Sequence, residues 1–167
     1  MRCAARLALI GSSYYGLGKY DSSLVYLKKA LSYPEPWGFG WIALLTGRTQ
    51  QKLNNDSAAF NYYYQSINEL SKTINSQDLP GVYTAVAGLY LEVGNIDSAI
   101  HYGKLSYTFA AQKHFNKEAM AACLLFAAAY NKNNTTESMH YNKLAMMAND
   151  NLFSAERKNQ LVSKKFN

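Results

Sequence analysis

Few residues of this chain are of types that do covalent chemistry, and none stands at a spacing that would let it. Eleven Asp and Glu are spread over 167 residues. Asp21, Asp56 and Asp97 fall where helices should begin, and the other acids are single, without the second carboxylate that acid–base or glycosidic chemistry uses. His101 and His140 occupy matching positions of a repeated pattern, so they are one outward-facing helix position seen twice and not a clustered donor set for a metal; His114 is alone. Cys3 and Cys123 lie in separate apolar segments near opposite ends, too few and too far apart for a disulfide framework or a zinc site, and read as small buried hydrophobes. No phosphate loop, nucleophile elbow or dinucleotide fingerprint occurs. The chemistry the chain does offer is recognition. Trp41, Leu44, Leu45, Arg48 and Lys52 follow i, i+3, i+4, i+7 and i+11, one stripe of a helix that joins an aromatic anchor to two cations. A guanidinium there suits an acidic side chain or a terminal carboxylate. Leu44 and Leu45 have an alternative place in the core, and Trp41 one at the convex end of the first repeat. The expectation is a binding module with no catalytic residue, no metal and no cofactor.

Composition agrees with a folded, binding protein. Apolar residues make up 49% and charged residues 17%, with only 3 Pro, enough for a core and unlike a linker. Tyr occurs 14 times; a ring that buries its body and wets its hydroxyl suits a thin, two-layered structure. The formal charge is +6, but Lys28-Lys29, Arg48, Lys52, Lys104, Lys113, Lys117, Lys143, Arg157-Lys158 and Lys164-Lys165 are scattered. They nowhere interleave with aromatics as a single-strand groove would, so direct nucleic-acid binding is not expected. Residues 1–10 carry Arg2 and Arg6 and lack the long apolar run of a leader. The longest apolar run, 119–130, is shorter than the ~20 residues of a membrane span, so no membrane contact is expected of this stretch of chain.

What must position the stripe is a repeat. Four 14-residue segments align without gaps: GKYDSSLVYLKKAL from Gly18, NNDSAAFNYYYQSI from Asn54, GNIDSAIHYGKLSY from Gly94 and NNTTESMHYNKLAM from Asn133. Gly or Asn in the first column suits a turn with positive φ. Asp21, Asp56, Asp97 and Thr135 or Thr136 then suit helix N-caps. The sixth column (Ser23, Ala59, Ala99, Ser138) and the thirteenth (Ala30, Ser66, Ser106, Ala145) are small and two turns apart, so another helix can approach both. The seventh and fourteenth are apolar, and the ninth is always Tyr (Tyr26, Tyr62, Tyr102, Tyr141). Upstream, Gly11, Gly47, Ala87 and Ala127 hold a second small column, and Tyr14, Tyr90 and Tyr130 recur. The pattern predicts helices near 4–17, 21–33, 38–53, 57–74, 80–93, 97–113, 117–131, 136–149 and 152–166. It predicts an all-α solenoid of four helix-turn-helix repeats of about 36–40 residues, 4–39, 40–79, 80–118 and 119–150, with 151–167 as a C-terminal capping or linker helix.

This pattern resembles the tetratricopeptide repeat (TPR) family. Ile10-Gly11 and Tyr14 match its first helix, Gly18-Lys19-Tyr20-Asp21 its turn, and Ser23, Leu27, Ala30 and Pro34 its second helix. The departures are the longer period, and Leu27, Gly103 and Asn142 where the family has an aromatic. The resemblance implies a concave groove lined by the first helices, here with Leu9 and Tyr15, then Trp41, Leu44, Leu45, Arg48 and Lys52, then Thr84, then Leu124 and Leu125, taking a protein or peptide. The family's carboxylate clamp is absent, since Ala8, Ser12, Leu45, Thr84 and Gly88 stand at its positions. From Asn149 to Glu156 the chain is similar to the end of the repeat array in bacterial membrane-bound sensors, ahead of a span and a histidine kinase or regulator. That implies a sensory module, periplasmic if membrane-bound and otherwise cytoplasmic. The alternative is a free-standing scaffold that bridges subunits of an assembly.

Overall fold

The computed structural model describes residues 2–33, 38–72, 77–112, 116–130, 136–147 and 149–150. Among them are eight helices and no strand: α1 (Arg2–Gly16), α2 (Tyr20–Leu31), α3 (Phe39–Lys52), α4 (Asp56–Leu70), α5 (Leu79–Glu92), α6 (Ile96–Gln112), α7 (Asn116–Tyr130) and α8 (136–147). They form the expected solenoid of helical hairpins. α1 packs on α2, α3 on α4 and α5 on α6; α3, α5 and α7 then each pack on the second helix of the pair before. First helices also touch one another in succession (α1 to α3, α3 to α5, α5 to α7), whereas α2, α4 and α6 do not. The first helices therefore make the inner layer of the stack. The ninth helix expected at 152–166, and the capping segment 151–167, lie outside the described residues.

Three turns are copies of one another. Gly18, Asn54 and Gly94 have φ of 71°, 56° and 81°. The amides just beyond them, of Lys19, Asn55 and Asn95, donate back to the carbonyls of Tyr14, Gln50 and Tyr90 at 2.9, 2.9 and 2.8 Å. This left-handed stop satisfies the last carbonyls of each first helix and reverses the chain. The caps are not the expected acids. Asn55 and Asn95 cap, their Oδ1 atoms accepting from the amides of Ala58 (3.4 Å) and Ser98 (3.1 Å). The left-handed residue turns the chain so sharply that the next helix starts early. Asp21, Asp56 and Asp97 are left inside the first turn, where their charge meets the positive end of the helix dipole.

All eight small residues of the sixth and thirteenth columns are buried, none more than 7% exposed. Each pair carries one serine among them, and its hydroxyl donates to a main-chain carbonyl of the first helix. Ser23 reaches Gly11 at 2.8 Å, Ser66 reaches Gly40 at 2.6 Å, Ser106 reaches Pro80 at 2.8 Å and Ser138 reaches Ala127 at 2.9 Å. A helical carbonyl has a second lone pair for this bond, so the buried hydroxyl is satisfied without breaking the helix. Alanine at the other contact point completes the close approach. Ala99→Leu is accordingly expected to overpack the third pair and cost roughly 1–3 kcal/mol, read from urea denaturation; an unmoved midpoint would put the helical register in error.

Size is also matched across each pair. A Cβ on Gly47 would stand 2.5 Å from the ring of Tyr63, and one on Gly11 2.7 Å from Leu27 Cγ. Where the first helix has Ala87 instead, the tenth column has Gly103, and a Cβ there would stand 3.0 Å from the ring of Phe126 of α7. Gly103 is thus half of a volume exchange, the ring of Phe126 taking the space its own side chain leaves. Three pairs add a tyrosine stack between their own helices. Tyr14 lies on Tyr26, Tyr90 on Tyr102 and Tyr130 on Tyr141, with centroids 5.4, 5.6 and 5.7 Å apart and planes within 12°. Cys123 is buried, which pushes its thiol up to about 11, and is unpaired with the exposed Cys3.

Candidate functional site: the inner face

The first helices differ in how much of themselves they show. α3 sits mid-stack, with α1 and α2 on one side and α4 and α5 on the other. Nine of its fourteen residues are buried. The free sector left to it holds the half-buried Trp41 and the exposed Arg48, two turns apart on the inner face. Gly38, at φ 79°, starts the helix and sets Trp41 in its first turn.

Two adjoining cavities meet at Trp41. The first, about 390 Å³, lies between α1 and α3 and is lined by Ala5, Ala8, Leu9, Gly38, Trp41, Ile42 and Asp78. It is apolar save for Asp78 at its edge. The second, about 320 Å³, runs from α3 across α5 to α7, lined by Trp41, Leu44, Arg48, Gln77, Asp78, Gly81, Thr84, Lys117 and Ala121. Here an indole borders two cations, a carboxylate, an amide and a hydroxyl. Arg48 reaches over α5 beside Gly81, its terminal nitrogen 4.0 Å from where a Cβ would stand there. Thr84 is fixed as floor: its hydroxyl donates to the Pro80 carbonyl at 3.0 Å and lies 2.7 Å from that of Ser106. Among the described residues the ion pair that forms is Lys72–Glu69, on the outer surface. Arg48, Lys117 and Asp78 are in no ion pair among the described residues.

Behind this face a polar strut ties the second pair to the third. Tyr63 donates to Gln51 Oε1 at 2.7 Å, and Gln51 donates to Glu92 at 2.7 Å. Burial holds the Tyr63 phenol above its ordinary range, so it stays a donor at any working pH.

Of the residues expected in the groove, Trp41, Leu44, Arg48 and Thr84 line the second cavity and Leu9 the first. Five are elsewhere. Leu45 is buried in a core cluster with Ala8, Leu27, Ala30 and Ile42. Leu44 shows only an edge to the cavity, its body lying in the cluster of Tyr63, Val82, Val86 and Leu89. Tyr15 packs against the first core and tilts onto Tyr20, centroids 5.5 Å apart. Leu125 is wedged between α5 and α6, its methyls 3.9 and 3.5 Å from where Gly88 and Gly103 would carry a Cβ. Lys52 is exposed but lines neither cavity, and Leu124 lines a third cavity at the far end of the stack. For Leu44 and Leu45 the physical reason is that mid-stack α3 is covered from both sides, so its open stripe is narrower than that of an isolated pair.

Asp78, Gln77, Gly81 and Lys117 were not legible as site residues. They stand at the starts of α5 and α7, just after connections whose lengths differ from pair to pair, where no repeat column reaches. Among the described residues no group of three or more His, Cys, Asp and Glu is placed to hold a metal, and no helix is long and apolar enough to cross a membrane.

No family model and no curated protein matches the chain. Among solved structures it is similar to the crystal structure of BtubC (BKLC) from P. vanneervenii, with a TM-score of 0.80 over 89% of this chain at 14% identity. The match spans 64% of that chain, so this chain covers less than two thirds of its structural neighbour. At that identity the likeness is one of fold.

Proposed function

We propose that the chain is an interaction module of the tetratricopeptide type that holds an extended protein segment on its inner face. The observation that carries this reading is the junction at Trp41 of an apolar cavity with a charged one. Such a junction suits a segment with an apolar side chain followed by a carboxylate, the first beside Leu9 and Ile42, the second between Arg48 and Lys117. Bidentate hydrogen bonding to Arg48 gives the carboxylate its orientation, and the indole supplies rigid contact area. The wider role in keeping with this is the ligand-binding part of a bacterial signalling protein. That rests on the likeness of residues 149–156 to sensor sequences, of which 151–156 lie outside the described residues.

Panning the immobilised chain against a random peptide library tests the reading. Bound peptides should be enriched in an apolar residue next to an acid or a free C-terminus. Trp41→Ala and Arg48→Ala should each weaken the best peptide by about tenfold or more, as central anchors do, and Lys117→Ala by less. Absence of any selected peptide, or affinity untouched by the Trp41→Ala Arg48→Ala pair, rules the site out.

A further inference from the structure

Asp78 stands at the head of α5 and, with Trp41, lines both cavities of the inner face. It holds the N-cap position, where an aspartate ordinarily accepts from an amide of the first turn. Here its side chain makes no capping bond. Pro80 has no amide to offer, and that of Gly81 is not taken. Asn55 and Asn95, at the same place in two of the second helices, do cap. Among the described residues the Asp78 carboxylate is in no ion pair either, although Arg48 and Lys117 line the same cavity. An exposed acid that neither caps its helix nor pairs with a cation thus stands at the crossing between an apolar space and a cationic one.

We infer that the bound segment enters by its free amino terminus: the terminal ammonium on Asp78, the first side chain in the apolar cavity, and an acid close behind it between Arg48 and Lys117. This rests on the reading of the inner face as a site for a protein segment. A residue whose side chain lies beside Leu9 and Ile42 must carry its own main-chain nitrogen past Trp41 and Asp78, which border both spaces. An internal residue would offer one neutral N–H there. With Arg48 and Lys117 engaged by the acid of the segment, Asp78 would then be covered with its charge unanswered, and a carboxylate taken from water without a cation is costly. A terminal ammonium brings three donors and the missing charge together. A chain that begins at this point also needs no path onward over α1.

Isothermal titration calorimetry of the full chain with short peptide amides tests this. The probes are Leu-Glu-Ala-Ala, Ile-Glu-Ala-Ala and Phe-Glu-Ala-Ala, each with a free amino terminus, with an acetylated one, and with two alanines added in front. The best free-amine probe should bind about tenfold or more tightly than its acetylated and extended forms, as a charge-assisted hydrogen bond requires. Asp78→Asn should bring the three forms to within about twofold of one another, while Arg48→Ala should weaken all of them. Asp78 is exposed and makes no capping bond, so circular dichroism of Asp78→Asn should match that of the unaltered chain. Equal affinity of the free and acetylated forms, with both weakened by Arg48→Ala, overturns the amino-terminal assignment and leaves the inner-face site standing. A free-amine preference that survives Asp78→Asn overturns the role of Asp78. Failure of every probe to bind at millimolar concentration overturns the inference together with the reading beneath it.

Discussion

Phe126→Ala is expected to destabilise the protein by about 3–5 kcal/mol, the range for removing a fully buried aromatic ring. The ring is 1% exposed, packs on Tyr141 with centroids 4.5 Å apart, and fills the space over Gly103. Neither neighbour can collapse into the gap, since Tyr141 is held on Tyr130 and Gly103 has no side chain to extend. In a stack where each pair touches its neighbours alone, the loss should fall on the third–fourth junction first. Hydrogen exchange should therefore rise in α7 and α8 before it rises in α3. Gly103→Leu supplies a stringent control: it should overpack the native protein by roughly 1–3 kcal/mol, yet return a substantial part of the loss in the Phe126→Ala background. A rescue of zero would show that Gly103 and Phe126 do not share the space.

The second large effect is expected at Gly47. An added methyl would stand 2.5 Å from Tyr63 Cδ1 and 3.2 Å from the Ala59 carbonyl oxygen. Tyr63 is wholly buried and tethered through its hydroxyl to Gln51, so the ring cannot yield without breaking the strut to Glu92. Gly47→Ala should cost roughly 1–3 kcal/mol despite alanine's better helix propensity. Gly88→Ala is the contrast, because nothing lies closer than Leu125 at 3.9 Å; there propensity alone should act, adding up to about 1 kcal/mol. Thermal or urea midpoints of the two variants read the difference, and two shifts of the same sign would contradict the packing described.

The frame of the stack was legible because its constraints act on residue type. A positive φ admits Gly18, Asn54 and Gly94 and few others, and a close helix approach admits Ser23 or Ala30 but nothing large. Those positions therefore stand out in a single sequence. The caps were misplaced by one residue in the second pair and two in the third, because Asn55 and Asp56, like Asn95 and Asp97, are all good cap residues, and only the turn geometry chooses between them. The face was read less well. Helical spacing says which residues of α3 share a side, so Trp41 and Arg48 were found together. It does not say how much of that side a neighbour covers, and so Leu45, Tyr15 and Leu125 were assigned to the groove instead of the core. Nor does it say what lies across the face, and so Asp78 and Lys117 went unseen.

The serine bonds do not sit at the same height in every hairpin. In the first and fourth pairs they lie toward the turn, at Gly11 and Ala127; in the second and third they lie at the open end, at Gly40 and Pro80. Gly40 adjoins Trp41, and Pro80 lies one turn below Thr84. The two middle hairpins are thus latched beneath the Trp41–Thr84 surface, while the outer ones have alanine, Ala30 and Ala145, in place of the serine at that end. In mechanical terms the inner face is a clamp with a stiff anvil and two softer arms. One arm brings Leu9 and the other Lys117, so under the proposed binding of a segment the adjustment is expected to fall to α1 and α7, with the indole and guanidinium of α3 as the fixed part.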